Sequence, residues 1–348
     1  MNPLVSVITR TLGRTTIAEV AGCLSAQTYR PLEWVVVNAS GAPLPPLPSP
    51  GGIPVLQVGG QRRLPRSQAL NAGLGAATGR YHLILDDDDL ILPGHVGDLI
   101  AVLAAHPGVL AAHSDAETIA ADGSVTGRYE FEFSHLLLTR RNLFPPHAVL
   151  FDAGLVRDRG CRIDEALEYF EDWDFWLQIA RHTSFARSPR ATAIYRTYLS
   201  QSGVQGGAAP DAIARMRDDR ARLVARNDDV RSRLQSGFDA LVQEALVAQA
   251  RGDFALAASH YNAALRADPA NVDILGRYAE LAMRVGDLAM ARASVDLALK
   301  LEPGEPTAHW NLAIVLAAQG LHAEAAAARD RAIALDPTIA TQAGESPA

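Results

Sequence analysis

Between residues 252 and 337 the chain repeats itself every 34 residues, and that period leaves few folds open. Gly252, Gly286 and Gly320 recur in register, as do Pro269, Pro303 and Pro337, with Asp268, Glu302 and Asp336 just before the prolines. The same register aligns Ala257, Ala291 and Ala325, then Ala264, Ala298 and Ala332. Glycine lets a helix pair turn, alanine permits close approach, and proline stops the second helix. A unit of that length buries its apolar face only against its neighbours, so the period predicts three stacked helix pairs over residues 238–339. Val295 and Arg329 stand where the first unit has the aromatic Tyr261, and Arg329 implies a partly exposed last helix.

The preceding part has no such period and reads as an α/β domain. Residues 4–8 form a β-rich run, followed by a polar loop over 9–14. Ile17, Val20, Ala21 and Leu24 then recur at the spacing of one helix face. A second strand covers 32–37, and strand, helix and strand in so short a span imply a parallel pair with a crossover. Residues 42–54, crowded with proline and glycine, exclude a regular element. A strand over 55–58, a helix over 66–77 and a strand over 81–85 follow, then a helix opened by Pro93 and Gly94. Beyond these come a strand over 109–115, a hairpin turning at Asp122-Gly123, and a strand over 148–151.

Two stretches carry chemistry. The apolar strand Tyr81–Leu85 ends in Asp86-Asp87-Asp88-Asp89, where adjacent like charges are costly unless water or a cation compensates them. In open α/β sheets, ligands bind outside the carboxyl ends of strands, so the run predicts a divalent-cation site for a phosphorylated substrate. In the second stretch, Trp173, Trp176, Leu177 and Ala180 share a helix face, which places Glu171 and Asp172 at that helix's N-terminal end. Taken alone, those two acids are also what helix capping and the macrodipole favour.

These stretches, in this order, resemble the family 2 glycosyltransferases of the GT-A fold. The matching residues are Val5-Ser6-Val7-Ile8, Trp34 to Gly41, Asn71-Ala72-Gly73, and Ala77 to Tyr81 leading into Asp86–Asp89, the stretch of the DxD motif. Glu171-Asp172-Trp173-Asp174 matches the family's ED motif and Tyr195-Arg196 its late basic segment. The resemblance covers residues 3–205 and implies inverting sugar transfer from a nucleoside-diphosphate sugar to a glycan or protein hydroxyl. It also implies a fold class: a Rossmann-like α/β domain with a mostly parallel sheet. Carried over by position, Asp88 with Asp86 would hold Mn²⁺ or Mg²⁺ and Asp172 would be the catalytic base. Thr9, Arg14, Asn38, Arg66, Asn71, Asp86, Asp87 and Arg196 would border the donor. Asn38 departs from the aspartate usual at the end of the second strand, which weakens any preference for uracil. Glu171, His147 and Asp115 are weaker candidates for the sugar or acceptor pocket. Asp87 and Asp89 are expected to act as local turn and capping residues.

The 34-residue units resemble tetratricopeptide repeats, implying a protein partner or self-association. The expected organisation is a GT-A domain over 1–207, a charged linker helix over 208–236 with solvated charges, three repeats over 237–340, and a frayed tail over 341–348. A net charge of −7 argues against a nucleic-acid role. Cys23 and Cys161 lack metal or redox spacing and are expected to stay separate thiols. The N-terminus has no basic n-region and long apolar stretch, and no run spans a membrane, so the expected place is the cytoplasm, in solution or peripherally at a membrane. The rival from another class is a repeat scaffold whose transferase-like domain has lost catalysis. A nucleotidyltransferase is a weaker rival.

Overall fold

The computed structural model describes residues 2–47, 50–199 and 210–340. The chain divides into two compact units, Met1–Asp228 and Asp229–Ala348. The expected first boundary at 207, the first two residues of the expected linker and the tail 341–348 lie outside the described residues.

The first unit begins β1 (Val5–Thr11), α1 (Ile17–Ala26), β2 (Leu32–Asn38), β3 (Val55–Gly59), α2 (Arg66–Ala76) and β4 (Tyr81–Ile84). It continues β5 (Leu90–Ile91), α3 (His95–Ala105), β6 (Ala111–Ile119), β7 (Val125–Tyr129), α4 (His135–Arg140), β8 (Val149–Asp152), α5 (Gly154–Arg157) and α6 (Glu171–Ala180). It closes with β9 (Phe185–Arg196) and α7 (Pro210–Arg226).

Among the described residues the strands form one sheet in the order β3-β2-β1-β4-β8-β6-β9-β5, with β7 paired to β6. β3, β2, β1 and β4 are parallel, and β8 runs antiparallel to both β4 and β6. The α/β class is as expected, but among the described residues the sheet is mixed, with four parallel and four antiparallel pairings, rather than mostly parallel. Strands buried on both faces favour continuous apolar runs, and β2 has one over residues 34–37, whereas β1, buried throughout, carries Ser6, Thr9, Arg10 and Thr11 beside its apolar residues. Val5, Val7, Trp34, Val36 and Leu83 pack with Val20 and Leu24 of α1 and Val96 and Leu99 of α3. Elsewhere Gly73 lets α2 approach closely, because a Cβ there would sit 2.5 Å from Ile8 Cγ2 and 2.9 Å from Val37 Cγ2.

Three further features differ from the sequence expectation. β1 does not stop at Ile8: the parallel register continues through Thr9↔Val36, Arg10↔Val37 and Thr11↔Asn38, so the first half of the expected polar loop is strand. β-Branched threonine suits that conformation, and strand alternation sends Thr9 and Arg10 to opposite faces. Secondly, β9 pairs in parallel with β6, but its register jumps from Ser188 to Ala191 opposite Ser114 and Asp115. That irregularity hides its periodicity in the sequence. Thirdly, the single charged linker helix is two helices, α7 and α8 (Asp228–Ala250), parted at Asn227. α7 is not solvated all round: Asp219 and Asn227 are buried, and Asp219 Oδ2 accepts from the backbone N–H of Glu168 (2.9 Å) and Tyr169 (3.0 Å).

The second unit comprises α8, α9 (Phe254–Ala267), α10 (Val272–Arg284), α11 (Leu288–Leu301), α12 (Pro306–Ala318) and α13 (His322–Leu335), the three helix pairs of the repeat. The recurring glycines all hold positive φ, +79° at Gly252 and Gly286 and +81° at Gly320, where a Cβ would be strained. Asp253 and Asp287 then cap the next helices through the N–H groups of Leu256 and Met290. Ala257, Ala264, Ala291, Ala298 and Ala332 are buried, whereas Arg329 is exposed as expected. Both cysteines are free thiols. Among the described residues no helix is long and apolar enough to cross a membrane.

Candidate active site

The four aspartates follow β4, beside the carboxyl ends of β1 and β2, and each meets a different partner. Asp86 Oδ2 accepts from Arg10 Nη2 at 2.7 Å and lies 3.9 Å from Arg66 Nη2. Its Oδ1 is buried without a hydrogen-bond partner. Asp87 Oδ2 accepts from Thr11 Oγ1 at 2.6 Å, and Asp88 Oδ2 accepts from Arg14 Nη1 at 2.6 Å. Asp89 Oδ1 accepts from the backbone N–H of Arg196 at 3.1 Å, and its Oδ2 lies 3.2 Å from His147 Nδ1. Asp86 and Asp88 keep 14% and 17% side-chain exposure against 8% and 5% for Asp87 and Asp89. The alternate pair therefore reaches the opening, while the other pair braces β1 and β9.

Charge sorts the pair further. Burial alone would raise Asp86, but the Arg10 and Arg66 guanidiniums outweigh it and hold its carboxyl below the usual range. Burial, with the like charges of Asp86 and Asp89, pushes Asp88 up to about 6 against the pull of Arg14. Arg14 thus only partly offsets burial and the two neighbouring carboxylates at Asp88.

The second cluster is set by the turn into α6. Phe170 takes a left-handed conformation (φ +61°), uncommon for a bulky residue, and the chain enters the helix at Glu171. Such a turn needs support on both sides. Upstream, Asp219 holds the amides of Glu168 and Tyr169; downstream, Trp173 Nε1 donates to Leu138 O at 2.6 Å. Asp172 Oδ2 accepts from Asn142 Nδ2 and its Oδ1 from the Trp173 N–H, both at 2.8 Å. Burial, then the neighbouring Glu171 charge, pushes Asp172 up to about 6. Glu171 goes the other way: burial would raise it, but Arg66 and Arg10 hold it low.

The two clusters meet through those arginines. Glu171 Oε1 accepts from Arg66 Nε at 3.1 Å and from Arg10 Nη1 at 3.2 Å, and both guanidiniums also reach Asp86. Arg196 is buried on the far side of the run, with Nε donating to Asp88 O at 2.5 Å, an ion pair to Glu19, and Nη2 unpartnered.

Other expected residues are engaged elsewhere. Thr9 Oγ1 accepts from Trp34 Nε1 at 2.9 Å on the opposite face of β1 from Arg10. Asn38 builds its own turn, donating to Ala42 O (2.7 Å) and accepting from Ser40 N (3.0 Å) and Ser40 Oγ (2.7 Å). Asn71 staples α2 to Ile163 and Glu165, and Asp115 forms a two-pronged pair with Arg187 at 2.8 Å. His147 is fully buried beside Asp89. Sequence reasoning missed Arg10, Thr11, Asn142 and Asp219; for Arg10 the available signal was a cation flanked by threonines directly after an apolar strand.

Among the described residues no group of three or more His, Cys, Asp or Glu side chains is arranged to hold a metal ion. Asp86 and Asp88 are nonetheless hard oxygen donors of the kind Mg²⁺ and Mn²⁺ accept, and the unpartnered Asp86 Oδ1 is a buried oxygen such a cation would satisfy. Magnesium sites commonly combine one or two carboxylates with a ligand's phosphates. The residues therefore fit a divalent cation brought together with a phosphorylated ligand.

The sequence profile of glycosyl transferase family 2 matches residues 58–154, and that of the tetratricopeptide repeat matches residues 242–306 and 279–338. An uncharacterized glycosyltransferase of Bacillus subtilis, YwdF, is 26% identical over 187 residues, 51% of this chain and 68% of that protein. An uncharacterized glycosyltransferase of Haemophilus influenzae is 26% identical over 218 residues, 58% of this chain and 67% of that protein. Among solved structures, S. aureus TarS 1-349 in complex with UDP-GlcNAc aligns over 98% of this chain and 92% of its own, with TM-score 0.49 and 14% identity. The chain thus carries a family 2 glycosyltransferase domain followed by tetratricopeptide repeats.

Proposed function

We propose that the first unit is a metal-dependent inverting glycosyltransferase that moves a sugar from a nucleoside-diphosphate sugar to a hydroxyl of a glycan or protein. The observation that carries this reading is the separation of two carboxylate sites, Asp86 with Asp88 at the strand end and Asp172 on α6, joined by Arg10, Arg66 and Glu171. Asp172 takes the proton of the acceptor hydroxyl as its oxygen attacks the anomeric carbon. The new C–O bond forms as the bond to the diphosphate breaks on the opposite face, so configuration inverts. A divalent cation held by Asp88 and Asp86 would neutralise charge on the leaving diphosphate. Arg14 and Arg66 border the same opening as further phosphate partners, Arg196 braces the run from its buried far side, and Asp87 lies between the two metal carboxylates. Thr9, Asn38 and Asn71 contribute by shaping the donor-side strand ends and α2. His147 and Asp115 brace the β9 side of the site through Asp89 and Arg187.

The repeats supply a surface for a protein partner or a second copy of the chain, and the expected place of action is the cytoplasm, in solution or at a membrane face. One observation favours the rival scaffold reading: the Asn38 side chain is spent on its own turn rather than held out for a base. The test is Mn²⁺-dependent nucleotide binding and sugar-nucleotide turnover across a panel of donors. Asp88→Ala should lose metal-dependent binding, whereas Asp172→Asn should keep binding and lose about 10²–10⁴-fold in turnover. Turnover at the parent rate in both variants refutes the assignment, and binding without turnover in the parent chain supports the scaffold.

A further inference from the structure

We propose that Arg10 is a positioning residue of the transfer reaction, bridging Asp86 to Glu171 so that the base-bearing end of α6 is held in place and the Glu171 charge is cancelled beside Asp172. The inference rests on the reading above, in which Asp172 is the base. Arg10 lies within a parallel strand at 8% exposure, where a cation is found only when paired. It is paired on both sides, 2.7 Å from Asp86 and 3.2 Å from Glu171. A planar guanidinium can serve two carboxylates at once, which a lysine ammonium on one stem cannot match.

Arg66 touches the same two acids but does not duplicate this role. Its Nε reaches Glu171 at 3.1 Å, but its side chain is 40% exposed and its Nη2 stands 3.9 Å from Asp86. Of the two, only Arg10 pairs closely with both acids from a buried position. Arg10 is rooted in β1 and shielded from solvent. Without it, Glu171 would sit ionised next to Asp172 with one half-exposed partner, and like charge beside a carboxylate keeps that carboxylate protonated to higher pH.

The test reads the protonation of Asp172 directly, in metal-free protein and without any donor. A water-soluble carbodiimide with glycine ethyl ester labels protonated carboxyls, and peptide mass spectrometry follows the Asp172 label against pH. The parent chain should lose label with a midpoint at about 6. Arg10→Met should raise that midpoint by about one pH unit, a tenfold change in ionised fraction, and Glu171→Gln should lower it. The double variant should follow Glu171→Gln, because Arg10 acts on Asp172 through Glu171. Should Arg10→Met fail to fold, Arg10→Lys must still raise the midpoint, since one ammonium cannot reach both acids. An unmoved midpoint in the arginine variants, or a double variant whose midpoint lies above the parent's, overturns the proposal. Failure of the base assignment shows differently: Asp172→Asn would then retain turnover while the labelling shifts persist.

Discussion

Replacing Asp172 by asparagine should make the first unit more stable at alkaline pH while removing its proposed chemistry. The folded protein keeps the Asp172 proton up to about pH 6, against an ordinary value of 3.8. Between those two pH values the folded chain binds more protons than the unfolded one, so stability falls as pH rises through that window. The full cost, about 3 kcal/mol, stands above pH 6. Asparagine carries no charge and removes it. Against this, Asn142 Nδ2 and the Trp173 N–H both donate to Asp172 at 2.8 Å, and an amide offers only one oxygen. Losing one of those bonds costs about 1–2 kcal/mol. The net expectation is a gain of about 1–2 kcal/mol at pH 8, turning into a loss of about 1–2 kcal/mol at pH 4. Urea titrations at the two pH values, followed by tryptophan fluorescence, measure it, because Trp34, Trp173 and Trp176 all lie in the first unit and only Trp310 in the second. A variant that is less stable than its parent at pH 8, or offset equally at both pH values, refutes the reasoning.

The rate of transfer should fall as pH drops through about 6, because Asp172 must be ionised to take a proton; a kcat/KM profile flat between pH 5 and 7 contradicts this. Gly73→Ala should lower stability by about 1–3 kcal/mol by overpacking α2 against Ile8 and Val37. Gly75→Ala, on the same helix with open space around it, should raise stability by about 0.5–1 kcal/mol, and thermal melts compare the two. Asp219→Ala should leave the Glu168 and Tyr169 amides without their acceptor, speeding their hydrogen exchange and lowering turnover; protection at the parent level counts against that bracing role.

What could be read from the sequence was whatever rests on local pattern. The 34-residue period fixes three helix pairs because every unit repeats the same glycine, alanine and proline roles. The strands β2 and β4 announce themselves as apolar runs, and the two acidic clusters stand where strand and helix ends must put them. What could not be read depends on distant partners. β1 continues past Ile8 only because β2 offers a parallel edge as far as Asn38, and β9 needs β6 beside it to absorb its bulge. Arg10 looked like a loop residue because its two carboxylates lie 76 and 161 positions away. The charges of α7 looked solvated for the same reason: Asp219 and Arg226 answer to residues 164–174.

The embrace of Asp219 has a bearing on how such a chain can be divided. The matched transferase segment ends at residue 154, and the last strand of the sheet ends at Arg196. A fragment cut after that strand would keep every residue assigned to the chemistry and still lose the acceptor that fastens the run-up to Phe170. It would fold a recognisable sheet around an unsupported turn at Phe170. The smallest fragment that keeps the braced turn therefore extends through α7, and the first compact unit, which ends at Asp228, contains all of it.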